Sequence, residues 1–381
     1  MPPWAEARAA KPPGRGPDSD ADGESGRLAL GGDRDVGHPG AMPEDVEGRF
    51  RSHHNYVDSF CWIAGRTPFT KTNAALQAIA DAVAQSGLSD QPPASIDYEQ
   101  VHRSLRNAWS TEVLLGLPGE WAADQDEFIR LANTWGVVQS YYVGYHVTQA
   151  LIVAKGRPRP TTHPQTQTQY ADLWADRPLA LPPWTFGARH GGWRNLPAGL
   201  TLDAGIHPWT GCSPATCWSL ASKALQTTRE AQVKKATDAK RDEKRRDRKK
   251  AWQAEEDSRI AKGRKPRKAP SSSRPRLTAA EKVACDQRVR TYTILDYLYR
   301  LRIGANYHDA SVFTDGPDNE HDSFLLHRRL GFLVSGLSLV AELRIRDLVG
   351  ASHLHQWADD FAASNIPASY SLGIKERRPL L

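Results

Sequence analysis

Apolar side chains spaced three and four residues apart recur along this chain, and that spacing admits essentially one kind of architecture. Phe128, Leu131, Trp135, Val138, Tyr142, Tyr145 and Ile152 keep it over about six turns, up to Gly156 and the proline-broken loop RPRPTTHP. Leu76, Ile79 and Val83 share a face between Thr72, which reads as an N-cap, and Gly87, which reads as a stop. A further helix is expected at 98–115. Leu326, Leu330, Leu333, Val334, Leu337, Val340 and Leu348 make a last, strongly apolar helix. The small residues Gly331, Ser335, Gly336 and Ser338 along it would let a neighbour come close, at the bundle centre or at a dimer contact. No strand-like run exceeds a few residues, so the expected fold is an all-α helical bundle. Trp135, Tyr142 and Tyr145 lie on the apolar stripe, which predicts core positions rather than a base-stacking platform. His146 lies off that stripe and is expected to be structural.

The stretch 277–350 adds a polar feature to the same pattern. Thr278 and Glu281 form a capping-box signature, and Tyr292, Leu295 and Tyr299 then share one helix face that ends in Arg302. The following LRIGANYHD predicts a helix break at Gly304, with His308 beyond the bend.

Around these helices the organisation follows composition. Residues 1–48 are rich in Pro, Gly, Asp and Arg, poor in large apolar groups, and expected to form a disordered tail. Residues 49–221 read as the first half of the bundle, with a Pro-, Gly- and Trp-rich irregular excursion at 176–215. Residues 222–276 read as an inserted basic charged helix closed by a flexible linker, and 277–381 as the second half of the bundle.

Fifty basic and forty-four acidic residues leave a formal net charge of +6. The excess is local: between Arg229 and Lys268 there are seventeen basic and eight acidic side chains, so the remainder of the chain is slightly acidic. Any electrostatic contact with nucleic acid therefore falls to that segment, above all to Arg245, Arg246, Arg248, Lys249 and Lys250. The bland alternative is a solvated helix whose alternating charges need no partner.

Four cysteines in 381 residues do not make a disulfide framework. His207, Cys212 and Cys217 recur every five residues but match no structural zinc spacing, so no metal or other cofactor is expected. The N-terminus lacks the apolar core of a secretory signal. The most membrane-like run, Gly331–Ala341, is well short of the ~20 residues a bilayer span needs, which predicts a cytoplasmic protein without a membrane partner.

Four arginines precede a histidine by a short, similar interval: Arg49–His54, Arg157–His163, Arg302–His308 and Arg346–His353. Chance alone gives roughly four such pairs in a chain of this composition, so context must choose among them. Arg302 continues an apolar stripe, and Asn306 stands beside His308, which ranks that pair first. Arg346–His353, with Asp347 after the arginine, ranks second. With its helical series, and with a helix bearing YYVGYH, the chain resembles the HEPN superfamily of all-helical domains. Many of its members are metal-independent ribonucleases in prokaryotic defence and toxin systems. The resemblance implies a bundle whose arginine and histidine act at a homodimer interface, RNA as substrate, and a neighbouring antitoxin or sensor protein as partner. Arg302, His308 and Asn306 would carry the cut. A histidine can move the proton of a ribose 2′-hydroxyl, and an arginine can hold the scissile phosphate bidentately. The rival expectation is a non-catalytic helical protein that binds a partner protein or nucleic acid through its basic helix. In that case Arg302 would cap carbonyls or pair with Asp296 or Asp309.

Overall fold

A computed structural model describes residues 46–381 apart from 89, 122–125, 272, 309 and 318, and leaves the side chains of Asp126 and His308 undescribed. The tail expected at 1–48 lies outside the described residues up to position 45. The described chain opens directly in helix α1 (Val46–Ile63). Then follow α2 (Thr72–Gln85), α3 (Tyr98–Trp121), α4 (Asp126–Ala154) and α5 (His163–Tyr170). After an irregular stretch come α6 (Cys217–Ala261), α7 (Ala279–Arg288), α8 (Ile294–Ile303), α9 (Ala310–Thr314), α10 (Glu320–Val349), α11 (Ala351–Asn365) and α12 (Ile374–Arg377). The fold is all-α, relieved among the described residues by three very short strands.

α4 and α10 form the centre, packed along each other, with α3 beside both and α1, α2 and α8 around them. α10 is the one described helix long and apolar enough to cross a membrane. Its apolar residues are spent inside the bundle: Leu330, Leu333, Val334, Leu337 and Val340 are all buried. Gly336 answers the question its small-residue neighbourhood raised. A methyl group there would stand 2.8 Å from the Trp184 ring, so the glycine admits that buried indole to the bundle centre.

The α4 stripe is buried over only part of its length. Val138, Tyr145 and Ile152 are in the core, whereas Trp135 is 65% exposed and Leu131 58%. The early turns bury Ile129 and Asn133 instead, so Trp135 is a correction to the expected core. The capping box of Thr278 and Glu281 forms as read. The single helix expected from there through Arg302 is instead two. The β-branched and aromatic run Val289–Thr293 prefers extended backbone, and Tyr292–Thr293 (β3) pairs antiparallel with Gly187–Arg189 (β1), which also pairs with Gly192–Arg194 (β2). Asp296 then caps α8 afresh, accepting from the Thr293 backbone at 2.8 Å. Gly304 makes no break either. It keeps helical backbone angles, and the chain widens there into a π-helical turn, Gly304–His308.

α6 is a helix of 45 residues, about 68 Å long at 1.5 Å per residue; its first turns bury Leu220, Ala221, Ala224 and Leu225 in the bundle, and the rest leaves the bundle as an arm. The segment expected as a flexible linker runs back along it. Arg267 binds Glu255 at 3.0 Å and Glu256 at 2.9 Å, Arg274 lies 3.5 Å from Asp238, and Arg248 donates to the Ser271 carbonyl. At the opposite extreme of burial, Arg377 on α12 is enclosed between Glu112 of α3 and Glu342 of α10, and Trp109 donates its indole N–H to Glu342 at 2.7 Å. That cluster fastens the C-terminal segment to the two central helices.

Candidate functional site

The YYVGYH segment of α4 builds a polar cluster because Tyr141, Tyr142, Tyr145 and His146 occupy two neighbouring ridges of one helix. Gly144 lets that helix approach closely: a methyl there would stand 3.0 Å from Leu337 of α10 and 3.1 Å from Leu295 of α8. The close approach brings Tyr299 and Arg302 of α8 over the tyrosines. Arg302 donates to the Tyr142 hydroxyl at 3.0 Å. Its guanidinium lies 5.4 Å from the Tyr142 ring centre and 5.8 Å from that of Tyr299, within cation–π range.

The imidazole that joins this arginine is His163. Thr162 caps α5 through a reciprocal box with Gln165, which fixes His163 as the first residue of the helix. Its Nδ1 is 2.8 Å from the Tyr141 hydroxyl, and its ring centre lies 6.0 Å from Tyr142 and 5.5 Å from Tyr299. Arg302 and His163 thus touch the same two rings. Burial and then the Arg302 charge lower the His163 pKa, so the imidazole is neutral at pH 7, and its Nε2 carries no hydrogen bond among the described residues. Burial raises the Tyr141 pKa and keeps that hydroxyl protonated. The cluster ends at His146, stacked on Tyr142 at 6.0 Å and pushed down to about 4 by burial and Arg159. Arg159 itself holds Gln149 at 3.0 Å.

No carboxylate among the described residues binds Arg302. Asp296, a partner the sequence offered, is taken by Arg290 at 3.0 Å and by the Thr293 hydroxyl at 3.0 Å; Asp309 lies outside the described residues. The side chain of His308 does too, and its backbone closes the π-helical turn that follows α8. Asn306 is exposed on that turn. In the sequence His163 pairs by spacing with Arg157 and not with the distant Arg302, and His146 lies off the apolar stripe, so neither stands out there as a partner of Arg302. The signal that could have found His163 is its place between an N-cap threonine and a proline, which directs it to the first turn of a helix.

The remaining candidates divide clearly. Arg346 binds the adjacent Asp347 at 3.0 Å and the Leu381 carbonyl at 3.1 Å, while His353 hydrogen-bonds the Val349 carbonyl at 3.0 Å and packs on Tyr98. Each has its own structural partners and they are not brought together. His54 of the first pair is held by Arg329. Cys212 and Cys217 are thiols whose pKa burial raises, and His207 Nδ1 accepts from the Trp209 backbone at 3.2 Å. No group of three His, Cys, Asp or Glu able to hold a metal occurs among the described residues.

On the arm, Arg245, Arg246, Arg248, Lys249 and Trp252 line a groove of about 430 Å³ closed by Ala269, Pro270 and Ser271; Lys250 is exposed beside them. The arm's ion pairs engage Asp238, Asp242, Glu243, Glu255 and Glu256. Arg246, Arg248, Lys249 and Lys250 bind no carboxylate among the described residues, so positive charge gathers at the groove.

No protein-family model, curated protein or solved structure matches this chain.

Proposed function

We propose that this chain is a metal-independent endoribonuclease of the HEPN kind, and that Arg302 works with His163 in cleaving RNA. The observation that supports this most is the shared seat of the two groups: a guanidinium without a carboxylate partner and a neutral imidazole with a free Nε2, both resting on Tyr142 and Tyr299. In this reading the Tyr141 hydroxyl oxygen accepts the Nδ1–H of His163, which leaves the Nε2 lone pair to take the ribose 2′-proton. The 2′-oxygen then bonds to phosphorus, the bond to the 5′-oxygen breaks, and the leaving oxygen gains a proton from solvent. Arg302 offsets the charge gathering on the phosphoryl oxygens. The products carry a 2′,3′-cyclic phosphate and a 5′-hydroxyl. The arm groove holds the RNA backbone by charge, with Trp252 offering a face to a base. A role in defence or toxicity, a homodimer and a neighbouring antitoxin or sensor protein accompany this proposal through the HEPN resemblance alone.

The test is cleavage of single-stranded RNA in EDTA by the purified protein. Arg302→Ala and His163→Ala should each lower the rate by about 10²-fold or more while remaining folded. Arg346→Ala and His353→Ala should cleave normally. His308→Ala separates the two histidines: full loss there with activity kept in His163→Ala would return the proton transfer to His308. Cleavage that requires added magnesium would overturn the proposal. Should the parent bind RNA without cutting it, the arm groove would stand as the functional site of a binding protein, a reading favoured by Arg246, Arg248 and Lys249, which have no carboxylate partner among the described residues, around Trp252.

A further inference from the structure

A second concentration of positive charge, sharing no lining residue with the arm groove, lies where α1, α2 and α10 meet. A cavity of about 370 Å³ there is lined by Arg66, Arg328, Arg329, His321, Thr67 and Thr72, with Asp58 as the one carboxylate among the described residues. That carboxylate is already engaged by Arg329 at 2.7 Å, and Arg329 also holds the neighbouring His54. Arg66 donates to the Thr67 carbonyl at 3.1 Å, and Arg328 lies 5.4 Å from the Phe324 ring. Neither has a carboxylate partner among the described residues. Three guanidiniums around one cavity repel each other, and the Arg66 pKa is lowered by burial and then by Arg328 and Arg329. Clustering of this kind is costly in an empty cavity and is relieved by a bound anion.

The backbone points the same way. Thr72 is the first residue of α2, whose N-cap Lys71 makes no side-chain cap, and the first turn has no acidic residue. The unsatisfied amides and positive dipole end of that helix therefore meet the arginines at one cavity wall. The volume falls in the range of small-molecule sites, larger than an inorganic anion needs. Cys61, Pro68 and Leu325 add apolar wall to the same cavity.

We infer that this cavity binds a phosphate-bearing small molecule of nucleotide size, with Arg66, Arg328 and the α2 N-terminus around the phosphoryl group and the remaining volume, walled by Pro68 and Leu325, for the attached base. Arg329 is fixed by Asp58 and His54 and acts as a wall charge. The inference stands apart from the nuclease proposal, because it uses no residue of the Arg302 cluster or the arm.

Isothermal titration of the full chain with inorganic phosphate, adenosine monophosphate and adenosine tests it. The monophosphate should bind and raise the melting temperature, phosphate should bind more weakly, and adenosine should do neither. Arg66→Gln with Arg328→Gln should weaken the monophosphate at least tenfold while raising the unliganded melting temperature, through relief of the repulsion, and leaving RNA cleavage as in the parent. Equal binding of monophosphate and phosphate would reduce the site to an anion site without a base contact and overturn the nucleotide assignment. No heat and no shift with either anion at millimolar concentration, or undiminished binding in the double variant, would remove the site altogether.

Discussion

Arg377 and Arg267 are each held by two glutamates, and the comparison separates the two regions of this protein. Arg377 and its partner Glu342 are fully buried, and Glu112 nearly so. Arg267 sits on the arm with its side chain 36% exposed, between Glu255 in solvent and Glu256, which Arg259 and Arg267 themselves cover. In the bundle, water cannot replace a lost partner, so each charge depends on the others. On the arm, solvent and salt take over when a pair opens. The bundle's ion pairs therefore hold elements in place, whereas the arm's pairs chiefly decide where uncompensated charge is left over.

The largest effect should come from Arg377→Ala. Two buried carboxylates would lose their common cation, which costs on the order of 3–5 kcal/mol. Chemical denaturation should show the midpoint falling with an unchanged slope, and a variant as stable as the parent would mean that the C-terminal segment is not anchored through this residue.

Acid should act on the bundle next. His327 is buried against α3 and α4, and burial pushes it down to about 4 from 6.5. Between those values the unfolded chain binds a proton that the folded chain refuses. Stability therefore rises with pH across that window and is lost as pH falls through it, by on the order of 1.4 kcal/mol per pH unit. His146 and His54, pushed down by burial to about 4 and about 3, add to this slope, and together the three histidines outweigh Asp58, which is raised to about 6 by burial and acts with the reverse sign between 3.8 and 6. Melting curves from pH 7 to 4.5 should fall, and His327→Gln should flatten them. A slope that the substitution leaves alone would place the acid sensitivity in other groups.

The arm should respond differently. Replacing residues 240–272 with a short Gly/Ser linker is expected to leave the melting temperature within a few degrees of the parent, since α6 beyond residue 240 buries almost no apolar side chain. RNA affinity should be lost together with its salt dependence. A large destabilisation would show that the arm is part of the bundle's core, contrary to the contrast drawn above. Smallest of all, Arg267→Ala should leave the melting temperature unchanged and only hasten proteolysis of the returning segment; a clear thermal shift would make that pair a structural one.

Much of the fold was legible from residues that act on near neighbours. Thr278 with Glu281, the Leu76–Ile79–Val83 face and the charged run after Arg229 each announce a helix through caps, three-four spacing or alternating charge, all of them local. Where reading failed, a distant partner had intervened. Trp135 matches the apolar stripe by spacing, yet the packing of α4 leaves its early turns on the surface. Tyr292 and Thr293 fit a helix until Gly187 and Ala188 offer a strand to pair with. The linker after Lys268 has turn composition, but Ser271 and Arg274 find hydrogen-bond and ionic partners on α6.

The candidate site divides along the same line. The sequence by itself determined that Arg302 ends a stripe of aromatic residues, because periodicity is settled within a few residues; His163 reads as part of a proline-broken loop, although the Thr162–Gln165 capping box starts α5 there. Which imidazole shares a pair of tyrosine rings with Arg302 was decided only by the tertiary structure. Gly144 lets α4, α8 and α10 close together, and a contact between chain-distant side chains is fixed by that packing and leaves no mark in their local spacing.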